Sequence, residues 1–288
     1  MRIPGIGKAE MYIFAVLALV LLLGQEPSTN QPECKKLLGP VCLQGESSAL
    51  LEEVEKLHGK RVQLQNTTKH DVGNSRTEPD GTPILQLNPS IYSKSELRQE
   101  AAVVHELFHL KMKANGYPFV GFEPTALYEA NAAFFDEMNL LVFSTIEHMI
   151  FYPQMRKMGL DPSTEFEEYF LQLDQRGDGP TPPNDRQRAV FFMKAALEFT
   201  DRKLVEKLEQ WYETHQWSKA LAAGKDLAKT VTNSQLSSPD DEIHIFVRCM
   251  NILVGDMAKF SLVKWEERYY GSVVARVGVV RVVPATDR

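Results

Sequence analysis

The segment AAVVHELFHLKM, residues 101–112, sets the first expectations for the fold and the chemistry of this chain. His105 and His109 are four residues apart, so a helix would place them on one face, about one turn from each other. Glu106 follows His105 directly. Two imidazoles suit Zn²⁺, and a carboxylate beside them can take a proton from water activated by the metal. The pattern therefore predicts Zn²⁺ as cofactor, His105 and His109 as ligands, and Glu106 as catalytic base.

The residues around this segment predict that it lies in a regular helix. Ser93 and Glu96 form a capping-box signature for the helix start, and Asn115-Gly116 is a favoured stop. Upstream, the apolar residues of 47–58 recur at helical spacing and stop before Gly59. The stretches RVQLQ (61–65) and TPILQLN (82–88) each predict a short strand, which together imply a small sheet.

A catalytic zinc site needs a third protein ligand, and the next predicted helix offers candidates. This helix is expected to start after Pro124 and to end at about Tyr152, because Pro153 follows. Glu129 and His148 would lie about 28 Å apart on one straight helix, so they cannot both bind the same ion. Glu129 comes 20 residues after His109, enough for the chain to reverse direction, and we predict it as the third ligand.

Three other acidic residues of this helix have weaker claims. Asp136 is seven residues after Glu129 and could accept a hydrogen bond from a ligand histidine. Glu137 is the reserve candidate for a metal ligand. Glu147 is expected on a solvated helix face.

These motifs together resemble a known class of enzymes. HELFH followed by YEANAAFF is similar to the gluzincin zinc peptidases, and its interval matches the thermolysin-like spacing. The string E-A-N-x-x-F also resembles the ligand helix of the small IrrE-like metallopeptidases. The resemblance covers about residues 47–152 and implies His105, His109 and Glu129 as ligands and Glu106 as general base. Ala133 stands where thermolysin-like enzymes have an aspartate.

The sequence of residues 1–24 is typical of a targeting segment. The stretch from Met11 to Leu23 is apolar without interruption, which suits a signal-peptide core of about 7–15 residues better than a bilayer-spanning helix of about 20. Residues 1–24 are thus predicted to be a signal peptide or an uncleaved N-terminal anchor. Either would make the protein exported: periplasmic, secreted or membrane-anchored.

Residues 25–46 are expected to form a linker that contains a cysteine pair. Cys34 and Cys42 could form a small disulfide loop in an oxidising compartment, or could remain two free thiols. In either case we expect them to lie closer to each other than to Cys249, which sits in an apolar helical run.

The remaining chain divides at a stretch rich in proline and glycine. Residues 47–173 are predicted as the peptidase core, 174–186 as a linker, and 187–288 as a helical region with a terminal strand. The expected fold is α+β and mostly helical. A small sheet should pack on the helix of residues 101–112 and on the following ligand helix.

The charge of the chain restricts its partners. The formal net charge is −6 and the pI is about 5.7, so no global positive field favours nucleic acid. We expect a peptide or protein substrate. Contact with a membrane is expected only through the N-terminal segment, if it is not cleaved.

The function that these observations favour is an exported zinc metallopeptidase. In this hypothesis Ile84–Leu87 is an edge strand that could pair with substrate, and Tyr128, Tyr152 or Tyr169 could stabilise the oxyanion. One alternative is a non-catalytic, zinc-stabilised binding or regulatory protein of the cell envelope. Another is a helical envelope-associated protein with an accidental motif.

Overall fold

The fold is α+β and mostly helical, as the sequence predicts. The computed structural model describes residues 34–68, 73–176, 182, 184–236 and 238–285. The strands within these ranges are β1 (Lys36–Leu38), β2 (Val41–Leu43), β3 (Gln63–Asn66), β4 (Gly73–Thr77), β5 (Pro83–Leu87), β6 (Phe119–Phe122), β7 (Ala258–Tyr270) and β8 (Val273–Pro284). The helices are α1 (Gly45–His58), α2 (Glu96–Ala114), α3 (Ala126–Ala130), α4 (Ala132–Lys157), α5 (Thr164–Arg176), α6 (Asp185–Glu198), α7 (Arg202–Thr214), α8 (Ser218–Thr232) and α9 (Pro239–Val254).

The first sheet packs on α2 and has the strand order β3-β5-β4. Strand β5 pairs parallel with β3 and antiparallel with β4. The prediction of Ile84–Leu87 as an edge strand is therefore wrong: these residues belong to the central strand, and β4 lies at the edge. Strand β4 is polar throughout (GNSRT), so the sequence carries no apolar alternation that would indicate it.

Helix α2 carries the HELFH segment and buries most of its apolar residues, Val103, Val104, Leu107 and Leu110 among them. It begins two residues later than the capping-box signature indicates. Ser95 is the N-cap residue, and Ser93 ends a 3₁₀ turn, where its hydroxyl donates to the carbonyl of Ser90 at 2.7 Å. The helix ends before Asn115, as predicted.

The predicted second helix is divided into α3 and α4, which meet at Asn131. Helix α4 does not end at Pro153 but continues through it to Lys157. Pro153 removes one helical hydrogen bond and crowds the preceding turn, but the buried side chains of Phe151, Tyr152 and Met155 hold this last part of the helix in the core.

The second large sheet has the order β6-β8-β7. The predicted terminal strand is confirmed as β8, which pairs antiparallel with β7 and parallel with β6. Within the region 187–288, which is predicted to be helical before its terminal strand, the last helix, α9, ends at Val254, and Ala258 begins the additional strand β7. The same region contains the helices α6 to α9.

One hydrophobic cluster joins elements from both sides of the predicted linker at 174–186. It combines Phe135, Met138 and Val142 of α4 with residues such as Val190 of α6 and Phe246 of α9. Much of the linker itself, residues 177–181 and 183, lies outside the described residues.

The cysteine arrangement agrees with the expected proximity. Cys34 and Cys42 form a disulfide with their Cα atoms 5.6 Å apart, and Cys249 is a buried free thiol. The predicted signal peptide or anchor, residues 1–24, lies outside the described residues. In the part of the chain that is described, no helix has the length and apolar character needed to cross a bilayer.

Candidate metal centre

Three histidines from two helices converge at one point. His105 and His109 lie on α2, and His148 lies on α4. One nitrogen from each ring forms a group in which all three atoms are within 4.8 Å of one another. The Nε2 atoms of His105 and His109 are 3.2 Å apart. Such a group could bind a metal ion.

His109 is oriented by a buried carboxylate. Its Nδ1 lies 3.2 Å from Oε2 of Glu147, the residue directly before His148. Burial would raise the pKa of Glu147, but the charge of Lys113 and the hydrogen bond with His109 outweigh it and lower the pKa to about 2. Lys113 contacts the other carboxylate oxygen of Glu147 and also donates to the carbonyl of Pro118 at 2.8 Å.

His148 is oriented in the same way by a second carboxylate. Its Nδ1 lies 2.8 Å from Oε1 of Glu198, the last residue of α6. Lys194 donates to the same oxygen at 2.6 Å, and Arg156 donates to the backbone carbonyl of Glu198 at 2.9 Å. Burial raises the pKa of Glu198, and the charge of Lys194 opposes that rise.

These contacts determine which ring nitrogens face the common point. A neutral imidazole that donates through Nδ1 keeps an unprotonated Nε2, which is the atom that binds a metal. Burial lowers the pKa of both His105 and His148 well below the usual value, and the positive charge of Lys194 contributes in each case. The two imidazoles are therefore held in the neutral form that metal binding requires.

Aromatic packing limits the movement of the three rings. The Phe151 ring meets His105, His109 and His148 edge-on, at centroid distances of 5.3, 5.0 and 5.4 Å. Tyr152 stacks on His148 at 4.4 Å. Because both aromatic residues are almost fully buried, the imidazoles sit against a rigid apolar wall.

Glu106 is buried beside this group. Burial raises its pKa, while the charge of His109 and a hydrogen bond with Ser75 oppose the rise. Strand β4 passes very close to it: a Cβ atom on Gly73 would lie 3.2 Å from Cγ of Glu106 and 3.1 Å from the carbonyl oxygen of Gln86. Glycine at this position lets the strand reach the carboxylate.

The three histidines and Glu106 line a cleft with a cavity volume of about 720 Å³. Strand β4 forms one wall, from Gly73 to Thr77. Helix α4 contributes Asn139, Leu140, Leu141, Phe143 and Ser144, and β6 contributes Phe119 and Val120. Lys113 and Lys194 also line the cleft. Its volume is in the range of sites that bind small molecules or a few peptide residues.

The structure does not bring the other predicted site residues to this group. Glu129 is exposed on α3. Asp136 is exposed and accepts a hydrogen bond from the hydroxyl of Tyr128 at 3.0 Å. Glu137, also exposed, accepts from the side-chain amide of Gln187 at 2.7 Å.

The prediction that Glu147 lies on a solvated helix face is wrong, because its carboxylate is buried against His109. Sequence reasoning considered His148 but chose Glu129 in its place, and it did not identify Glu198. The available signal was the surroundings of each: His148 lies in IEHMIFY and Glu198 in FFMKAALEF, where apolar neighbours leave little solvated surface. Charged or titratable side chains in such runs are usually buried and paired.

No protein family, curated protein or solved structure was found to match the chain at a significant level.

Proposed function

We propose that the protein is a zinc-dependent metallopeptidase, with His105, His109 and His148 as zinc ligands and Glu106 as the base. The observation that carries this proposal is that the three imidazoles and the buried Glu106 carboxylate line one cleft. A helix with two histidines and no cleft would support only a structural metal site.

The donor set fits zinc. In a tetrahedral site with Zn–N distances of about 2.0–2.1 Å, two ligand nitrogens lie about 3.3–3.4 Å apart. The 3.2 Å between the Nε2 atoms of His105 and His109 is close to this value. Three protein ligands leave one tetrahedral position open, which is typical of catalytic rather than structural zinc.

Zinc, when bound, supplies a Lewis acid that polarises a carbonyl group and lowers the pKa of water. Glu106 then has two tasks. It accepts a proton from the water that attacks the carbonyl carbon, and it returns that proton to the amine when the C–N bond breaks.

Strand β4 supports a peptide as the substrate. It lies at the edge of its sheet, and among the described strands only β5 pairs with it. Its unpaired backbone groups could therefore bind an extended peptide as an additional strand along the cleft.

This proposal keeps the HExxH chemistry of the gluzincin resemblance but changes the third ligand. A histidine in place of glutamate makes all three protein ligands neutral. The site then carries one more unit of positive charge than a gluzincin site, which strengthens the effect of the ion on water.

We further propose that the protein is exported. The disulfide between Cys34 and Cys42 supports an oxidising compartment, because such bonds are rare in the cytosol. The apolar run before it supports a signal peptide or anchor.

The test uses the full chain and a library of peptides from a digested proteome, with cleavage sites read by mass spectrometry. We expect one zinc per chain and hydrolysis by the wild type. Glu106→Gln should keep the zinc and lose hydrolysis, whereas Glu137→Gln, at an exposed carboxylate, should keep both the zinc and hydrolysis. Full hydrolysis by Glu106→Gln would overturn the peptidase proposal. A wild type that holds zinc but cleaves nothing would favour the non-catalytic alternative.

A further inference from the structure

The cleft contains a lysine, Lys194, that has no role in the mechanism proposed above. Lys194 lies on α6, four residues before Glu198, and lines the cleft together with the three histidines. Its side chain keeps 25% of its surface exposed. It therefore reaches the interior of the site without being fully enclosed.

The ammonium group of Lys194 has more N–H donors than it uses in its contacts with the described residues. A lysine ammonium carries three N–H donors. Within the described part of the chain, Lys194 makes one hydrogen bond, at 2.6 Å to Oε1 of Glu198, and its Nζ lies 5.5 Å from the centroid of the Phe166 ring. Donors remain that can point into the cleft.

Of the other two cations of the cleft, Lys113 is more completely engaged, and Arg76 is paired with a carboxylate near the surface. Lys113 contacts Glu147 and the carbonyl of Pro118, and its ammonium lies 4.5 and 5.1 Å from the ring centroids of Phe119 and Phe143. Arg76 donates twice to Glu78, at 2.9 and 2.8 Å.

The tyrosines considered from the sequence are poorly placed to stabilise an oxyanion. Tyr152 is buried with its ring stacked on His148. Tyr128 donates its hydroxyl to Asp136, and Tyr169 is 52% exposed on α5. None of the three lines the cleft.

We propose, building on the peptidase function above, that Lys194 is a catalytic residue that donates a hydrogen bond to the carbonyl oxygen of the scissile bond. When water attacks the carbonyl carbon, the π electrons of the C=O bond move to this oxygen. The fixed positive charge of Lys194 stabilises the negative charge that develops there, and Lys194 keeps its own proton throughout. Glu198 holds the ammonium in position, so little reorganisation is needed during the reaction.

The test separates this role from a merely structural one. Lys194→Met keeps an unbranched side chain that is one atom shorter and removes its charge. We expect it to retain zinc and to lower kcat about 10²–10³-fold, with KM changed by no more than about threefold. Lys194→Arg should recover part of kcat. Lys225→Met, which breaks a Lys–Glu contact outside the cleft, is the control.

A second readout does not depend on turnover. A phosphinic peptide carries a tetrahedral oxyanion, whereas a thiol peptide binds the metal without one. Calorimetry should show that Lys194→Met weakens binding of the phosphinic peptide at least about tenfold and leaves binding of the thiol peptide unchanged.

Three results would overturn the inference. The first is full kcat in Lys194→Met when the wild type is active. The second is equal weakening of both inhibitors, and the third is a loss of kcat that follows a loss of zinc. A zinc-loaded wild type that cleaves no peptide would remove the proposed function and this inference together, so the two failures are distinguishable.

Discussion

Oε1 of Glu198 lies 2.8 Å from Nδ1 of His148, although 50 residues separate them in the chain. The contact joins the end of α6 to the middle of α4 and determines how the His148 ring is turned. Carboxylates that hold ligand histidines in this way commonly contribute substantially to metal affinity.

Removal of this carboxylate should therefore weaken metal binding. We expect Glu198→Ala to lower zinc affinity about 10–100-fold, and Glu198→Gln, which keeps an acceptor oxygen, to lower it less. Competition with a chromophoric chelator measures both affinities. Glu137→Ala is the matched control, because Glu137 is exposed and lies outside the histidine group. Equal zinc affinity in the wild type and Glu198→Ala would contradict an orienting role.

The sequence predicts α2 and its two histidines well, because their spacing and the helix stop are local features. The third histidine, His148, could not be chosen from local features. Helical rise correctly separates Glu129 from His148 as candidates, but the choice between them depends on which end of the second helix contacts α2. That contact is tertiary, as is the approach of Glu198 from α6, and no local pattern encodes either.

Other elements were missed for similar reasons. Strand β4 is polar on both faces, and its strand conformation depends on pairing with β5. Strand β7 contains LVKWEERYY, whose charges obscure any alternation, and it forms by pairing with β8 along its whole length. The β-branched residues of β8 itself gave a clear local signal.

Stability should depend on pH through Glu242. This carboxylate is fully buried on α9, and neither of its oxygens has a hydrogen-bond partner among the described residues. Burial and the nearby charge of Glu147 raise its pKa from 4.5 to about 8, against the opposing charge of Lys113. Between pH 4.5 and a pH of about 8, Glu242 is protonated in the folded protein and ionised in the unfolded chain.

Because the native state binds more protons in this window, the free energy of unfolding due to Glu242 should fall as pH rises from about 4.5 to about 8. Glu242→Gln mimics the protonated carboxyl group. At about pH 4.5 its free energy of unfolding should equal that of the wild type, and at about pH 8 it should be higher by at least about 1 kcal/mol. Urea unfolding at several pH values measures this, with exposed Glu213→Gln as control. A difference between Glu242→Gln and wild type that does not change with pH would count against the assignment.

Strands β1 and β2 pair antiparallel as a hairpin, and the Cys34–Cys42 disulfide should stabilise this hairpin and the core packed on it. Leu38, Val41 and Leu43 of this hairpin are buried in the core that includes α1 and α2. The double variant Cys34→Ser/Cys42→Ser releases a short loop, and we expect the free energy of unfolding to fall by about 2–3 kcal/mol.

Chemical denaturation with and without reductant measures this effect. Reductant should destabilise the wild type and leave the double variant unchanged, because the remaining thiol, Cys249, is unpaired. A wild type that is indifferent to full reduction, verified by thiol counting, would show that the bond contributes nothing to stability.

The most direct test of the central claim is the zinc content of two variants, His148→Ala and Glu129→Ala, each measured by mass spectrometry of the metal after exhaustive dialysis. If His148 completes the site, His148→Ala should lose most of its zinc while Glu129→Ala keeps one zinc per chain, with both variants checked for folding by circular dichroism. Stoichiometric zinc in His148→Ala together with zinc loss in Glu129→Ala would contradict the three-histidine site.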